Sequence, residues 1–165
     1  MQDLRILGLQ TELAWENPAK NRELLEVKIL NHAAGHDLVI LPETFTTGFP
    51  VEPEKFAEKE DGKTMQWMAV LASKAQTTIT GSFLMNFDGK YANTLVWMRP
   101  DKTFELYQKR HVFRMGGEHE HIQPGEKQLI VELNGWKIKP MICYDLRFPV
   151  WCKNRLDKDG KFEYD

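Results

Sequence analysis

Three side chains of complementary reactivity each stand at the end of a short apolar or extended segment. Glu43 follows residues 37–41, in Leu41-Pro42-Glu43-Thr44-Phe45. Lys109 follows residues 104–108, in Tyr107-Gln108-Lys109-Arg110-His111. Cys143 follows residues 139–142, in Met141-Ile142-Cys143-Tyr144-Asp145. A thiol becomes a strong nucleophile once its proton is removed. A carboxylate within hydrogen-bond reach can remove it as a general base. An ammonium group can hold the oxyanion of a tetrahedral intermediate, helped by a backbone N–H, and that of Tyr144 follows the thiol directly. Each residue alone also has an ordinary reading. A Cys after an apolar strand is commonly a small core residue, and a Lys beside an Arg is commonly a solvated charge.

The elements around these residues decide whether they can meet. Residues 4–10 read as a buried strand. Asn17-Pro18 opens a helix, since Asn caps well and Pro suits the first turn. Leu24, Leu25, Ile29 and Leu30 form its apolar face, and Gly35 ends it. Residues 37–41 (DLVIL) read as an interior strand, which gives a βαβ unit with parallel strands. A second helix is expected over residues 64–76, with Met65, Met68, Leu71, Ala72 and Ala75 on one face. Strands over 77–85, 91–98 and 104–108 are separated by turns at 86–89 and 100–102. Residues 111–127 lack a period and read as a long loop. Strands over 128–133 and 136–142 flank Asn134-Gly135, the strongest two-residue turn signal in the chain. Three reactive groups at strand ends can therefore converge. Reactive groups of α/β sheets gather outside such ends.

Composition narrows the class of protein. The 165 residues are 42% hydrophobic and 28% charged, enough apolar material for one globular domain. The net charge of −2 gives no basic excess for a nucleic-acid partner. No apolar run reaches the ~18–20 residues of a membrane span, and the first residues do not read as a secretory signal. Two cysteines are too few for a disulfide scaffold, so the cytoplasm is the default location. A nucleotide fold lacks support, because neither G-x-G-x-x-G nor G-x-x-x-x-G-K-[ST] occurs.

The segments Leu41-Pro42-Glu43-Thr44-Phe45, Lys109-Arg110-His111-Val112-Phe113 and Cys143-Tyr144-Asp145-Leu146-Arg147-Phe148-Pro149 together resemble the three motifs of the nitrilase, or carbon–nitrogen hydrolase, superfamily. Thr44-Phe45-Thr46-Thr47-Gly48-Phe49 and Met115-Gly116-Gly117-Glu118-His119-Glu120-His121 resemble its omega-amidase branch. The resemblance implies an α/β (α+β) fold, an α-β-β-α sandwich with mixed sheets, in which residues 1–165 form the N-terminal portion of a single domain. The family pattern runs on into a further strand that this sequence does not contain. The resemblance also implies roles: Glu43 as general base, Lys109 as oxyanion holder and Cys143 as the nucleophile that forms a thioester with release of ammonia. A second glutamate on the loop after the lysine would position the substrate amide, with Glu120 the better match and Glu118 its competitor. The implied substrates are omega-monoamides of dicarboxylic 2-oxo acids, such as 2-oxoglutaramate and 2-oxosuccinamate. No metal or organic cofactor is implied, and the partner is a second copy of the chain in a homodimer or larger homo-oligomer.

Other residues carry weaker signals. Tyr144, Phe45, Phe113 and Arg147 are expected to contact substrate, with Phe49 and Trp67 as further aromatic candidates. Aromatics are more often core, however, and Arg147 has a competing reading as an ion-pair partner of Asp145. His111, Glu118, His119, Glu120 and His121 invite a metal reading. Zinc sites follow tighter spacings such as H-E-x-x-H on a helix, so a polar loop shaping a pocket is preferred. Cys152 is expected to pack rather than react. A nitrilase, a carbamoylase, an N-acyltransferase or a non-catalytic binding module remain the alternatives.

Overall fold

The computed structural model describes residues 3–50 and 52–165. Five strands form one mixed sheet: β1 (Ile6–Gly8), β2 (Leu38–Ile40), β3 (Thr78–Phe87), β4 (Lys90–Met98) and β5 (Phe104–Gln108), in that spatial order. β1, β2 and β3 are parallel, with Leu7 beside Val39 and Val39 beside Ile79. Helices α1 (Pro18–His32) and α2 (Lys63–Ala75) make the two connections, as parallel neighbours require. β3, β4 and β5 then pair antiparallel. The β3–β4 turn has Asp88 and Gly89 at φ 53° and 85°, both left-handed, which matches the twist of a two-residue hairpin.

Alternation along the strands sorts side chains into two faces. Val39, Ile79, Val96 and Met98 meet Leu25 and Ile29 of α1 and Met65, Met68, Leu71 and Ala72 of α2. Leu38 and Trp97 point the other way and meet Val131 of a second, two-stranded sheet formed by β6 (Val131–Leu133) and β7 (Trp136–Ile138). Leu95 and Tyr107 meet Ile142 on that same side. The helix layer, the large sheet and the small sheet thus stack in the α-β-β order that the sequence leads one to expect.

Differences from the expected elements have local causes. Leu30 of α1 is 37% exposed, and the buried stripe runs through Asn21, Leu25 and Ile29 at four-residue spacing instead. α2 spans Lys63–Ala75 and ends on Gln76 in the left-handed region. The expected strand over 136–142 stops at Ile138, since Pro140 has no N–H to offer a neighbour. The long loop contains a 3-10 turn (Arg114–Gly116) and a one-turn helix α3 (Glu118–His121). Among the described residues no helix is long and apolar enough to cross a membrane.

Candidate active site

Glu43 is carried by a loop pinned to β3. The Leu41 N–H donates to Thr80 O (2.8 Å), that of Thr44 to Ser82 Oγ (3.0 Å) and that of Phe45 to Ser82 O (3.0 Å). Gly81 makes this close crossing feasible, because a Cβ there would lie 2.6 Å from Leu41 Cβ. The far end of the loop is held by Asn21, whose Nδ2 donates to Thr46 O (2.7 Å) and Ala14 O (2.8 Å). Thr44 adopts φ 45°, so the chain turns sharply just past the carboxylate.

Lys109 follows the last residue of β5. Its N–H donates to Asn93 O and its carbonyl accepts from Gly125 N, both at 2.8 Å. A Cβ on Gly125 would sit 2.2 Å from Gln108 O, so only glycine lets the returning loop pass this close.

Cys143 opens a 3-10 turn (Cys143–Arg147) with φ 41°, an uncommon value for a residue with a side chain. The first bond of the turn runs from Asp145 N to Ile142 O (3.0 Å). The amides of Cys143 and Tyr144 precede it and have no acceptor within the turn. Asp145 is completely buried and fixes the elbow. Its Oδ2 accepts from Tyr107 Oη (2.6 Å) and Ile142 N (3.0 Å). Its Oδ1 accepts from His111 N (2.8 Å) and lies 2.8 Å from His111 Nδ1. The expected Asp145–Arg147 ion pair is therefore absent from these contacts. β5 and the loop after it take the bonds that Arg147 was expected to make.

The three reactive groups meet. Lys109 Nζ donates to Glu43 Oε1 (2.8 Å) and to Glu118 Oε2 (2.9 Å). Cys143 faces the same cavity as Glu43 and Lys109, and the charges of both bear on its thiol. Asn93 of β4, fully buried, donates through Nδ2 to Glu43 Oε1 (2.9 Å) and reaches Glu118 Oε1 at 3.4 Å. Glu118 Oε2 also accepts from Phe113 N (2.5 Å). Around them opens a cavity of about 830 Å³, walled by Glu43, Phe49, Lys109, Phe113, Met115, Gly116, Cys143, Tyr144 and Arg147. Phe113 stands edge-on to Tyr144, ring centroids 5.1 Å apart, and Phe49 to Phe113 at 6.5 Å.

Charge in this cluster is arranged for proton transfer. Burial works against the ammonium of Lys109, but the charges and hydrogen bonds of Glu43 and Glu118 outweigh it and raise its pKa. The amine stays a cation. Burial, then the charge of Glu43 and the hydrogen bond to it, push the Cys143 thiol up, with Lys109 opposing. The resting sulfur is thus protonated beside a base. Alkylation of Cys143 by iodoacetamide should reach half its maximal rate above the ordinary thiol pKa. In Glu43→Gln that midpoint should move down, because the neighbouring negative charge is gone while Lys109 remains. An unmoved or raised midpoint contradicts the coupling of Glu43 to the thiol.

Several expected site residues lie elsewhere. Glu118, not Glu120, is the second glutamate at Lys109, with a side chain 1% exposed. Glu120 is exposed, because α3 is a helical turn and its two glutamates point apart. Phe45 is fully buried and packs on Trp67 and Phe83 (5.8 and 5.9 Å), so it is core rather than pocket wall. Phe113, Tyr144 and Arg147 do line the cavity. The His/Glu loop is dispersed: His111 faces Asp145, Glu118 faces Lys109, and His121 Nδ1 lies 3.7 Å from Glu54. Cys152 Sγ bonds Asp145 O (3.2 Å). Asn93 and the Asp145 hub escaped the sequence reading. Asn93 offered one signal, an amide side chain ahead of the apolar stretch at residues 95–98 of β4.

Fold and cluster together define a class. A family model described as carbon-nitrogen hydrolase matches residues 4–159, and the chain belongs to that family. Among its relatives is the omega-amidase YafV of Escherichia coli K12, 38% identical over 160 residues, which span 96% of this chain and 61% of the relative. The 2-oxoglutaramate amidase of Bacillus subtilis is 29% identical, over 91% of this chain and 59% of that protein. The crystal structure of XC1258 from Xanthomonas campestris, a CN-hydrolase superfamily protein with an arsenic adduct in its active site, superposes with a TM-score of 0.96. It is 43% identical and covers all of this chain and 63% of its own. The chain thus spans about three fifths of the length of these relatives.

Proposed function

We propose that this chain carries the reactive centre of an omega-amidase, which hydrolyses the side amide of small omega-monoamides of dicarboxylic 2-oxo acids such as 2-oxoglutaramate and 2-oxosuccinamate. The observation that carries the reading is the meeting of thiol, carboxylate and ammonium at one cavity. The likeness to omega-amidases and to a 2-oxoglutaramate amidase supports the substrate class.

Glu43 takes the proton of Cys143 as the sulfur adds to the amide carbon. The C=O pair moves onto oxygen, and the oxyanion is held by Lys109 Nζ and the Tyr144 N–H. Lys109 has two of its three donors on Glu43 and Glu118, which leaves one for that oxyanion. Glu43 returns the proton to the nitrogen, the C–N bond breaks, and ammonia leaves a thioester on Cys143. Glu43 then deprotonates water, which adds to the thioester. Collapse of that second intermediate expels the thiol and frees the acid. Glu118 orients Lys109 and faces the amide nitrogen. Arg147, exposed on the cavity wall, meets the remote carboxylate of the substrate, for which a planar fork is suited. A cytoplasmic homo-oligomer that needs no cofactor is part of the same proposal.

The test is ammonia release. The protein should liberate ammonia from 2-oxoglutaramate, and far more slowly from an amide of equal length that lacks the carboxylate. Arg147→Ala should narrow that preference mainly through KM. Equal rates on both amides would remove the dicarboxylate part of the reading.

A further inference from the structure

We propose that Asn93 is a positioning residue of the centre: its side-chain amide holds the two carboxylates apart and steers Glu43 toward the thiol. The inference rests on the hydrolytic reading of the same site and goes further by naming what keeps its charges in place.

Two carboxylates, Glu43 and Glu118, share a single ammonium, Lys109. One negative charge is therefore unmatched in a partly closed space, where like charges repel strongly. Asn93 lies where that imbalance is felt. Its neighbours fix which end of the amide is which. Glu43 Oε1 and Glu118 Oε1 are both acceptors, so the NH2 must face them. Its two hydrogens then serve one carboxylate each.

The arrangement has a visible cost. With the NH2 committed, Asn93 Oδ1 is buried without a hydrogen-bond partner among the described residues. A buried unpaired acceptor is destabilising, and an apolar side chain of the same size would avoid it. A residue retained only for packing has no reason to be an amide here. The backbone repeats the connection: Asn93 O accepts the Lys109 N–H, and in register Asn93 faces Leu84 on β3. One residue thus bonds to Glu43, Lys109 and Glu118. Its bond to Glu43 and the bond from Lys109 both end on Oε1, which leaves the other oxygen for the sulfur.

The titratable groups facing this position are Glu43 from the loop after β2, Lys109 from the end of β5, Glu118 from α3 and Cys143 from the elbow, with Arg147 on the cavity wall. Asn93→Asp is isosteric and puts a third acid among them. The rate of Cys143 alkylation by iodoacetamide is measured against pH in a Cys152→Ser background, alongside amide turnover. The midpoint is expected to rise by about one pH unit, because an added negative charge disfavours the thiolate. Turnover is expected to fall at least about ten-fold in kcat with KM within about three-fold, as for a group that acts on the reacting residues rather than on bound substrate. Asn93→Ser, smaller and able to donate only one hydrogen bond, covers the case in which the acid variant does not fold. Its kcat should fall by a similar factor. A midpoint and a kcat that both stay at wild-type values in a folded variant overturn the proposal. So does a loss of thermal stability with no change in either. Alkylation needs no amide substrate. Failure of the parent protein to release ammonia would therefore count against the substrate class and leave the Asn93 result readable.

Discussion

Cys143→Ala should abolish amide turnover, by on the order of 10⁴-fold or more, as removal of a covalent nucleophile does in other hydrolases. No nearby group can replace the sulfur. Cys152 is occupied with Asp145 O on the far side of the elbow, and Glu43 is held by Asn93 and Lys109. The same position makes a second, opposite prediction about stability. Cys143 sits at φ 41°, where a Cβ costs about 1–2 kcal/mol and glycine costs little. Cys143→Gly should therefore resist urea better than Cys143→Ala, by about 1 kcal/mol, while being equally inactive. Residual turnover within a hundred-fold of wild type would exclude the thioester route. Equal stability of the two variants would remove the strain from the account.

Lys109→Ala should damage both activity and folding. Loss of an oxyanion donor removes about 2.7–4 kcal/mol of transition-state stabilisation, or 10²–10³ in kcat. The fold suffers separately. The Lys109 and Glu118 side chains are each 1% exposed, so the variant leaves a buried carboxylate without its cation. Breaking such a pair from one side costs about 3–5 kcal/mol. Adding Glu118→Gln should restore much of the stability and none of the turnover, since it removes the stranded charge but returns no oxyanion donor. Denaturant midpoints and initial rates for the two single variants and the double variant separate these effects. A rate for Lys109→Ala within a few-fold of wild type would sink the assignment.

Most of the scaffold could be read from local pattern. The run over residues 37–41, the apolar stripe of α2 and the Asn134-Gly135 turn each reflect a short-range rule, and each falls within a residue or two of its element. The three reactive groups were legible because each follows an extended segment, and strand ends gather on one edge of a sheet. What could not be read depends on contacts between distant segments. Choosing between Glu118 and Glu120 requires knowing which side of a single helical turn faces Lys109, and two residues reverse that answer. Phe45 and Phe113 are the same residue type beside motif residues, yet one packs beneath Gly81 and the other walls the cavity. Nearness in sequence pairs Arg147 with Asp145. Tyr107 and His111, some thirty-four to thirty-eight positions away, satisfy that acid instead.

The grip of Asp145 has a mechanical consequence. It fastens the turn that starts with the sulfur to β5 and the loop that carries the amine, with three contacts to Tyr107 and His111 from both carboxylate oxygens. Those two parts have little freedom to shift independently, so the spacing between the sulfur and the ammonium is set before anything enters. Adaptation to differently shaped guests must then come from more mobile parts of the cavity wall, such as Met115, which is 80% exposed and unbranched.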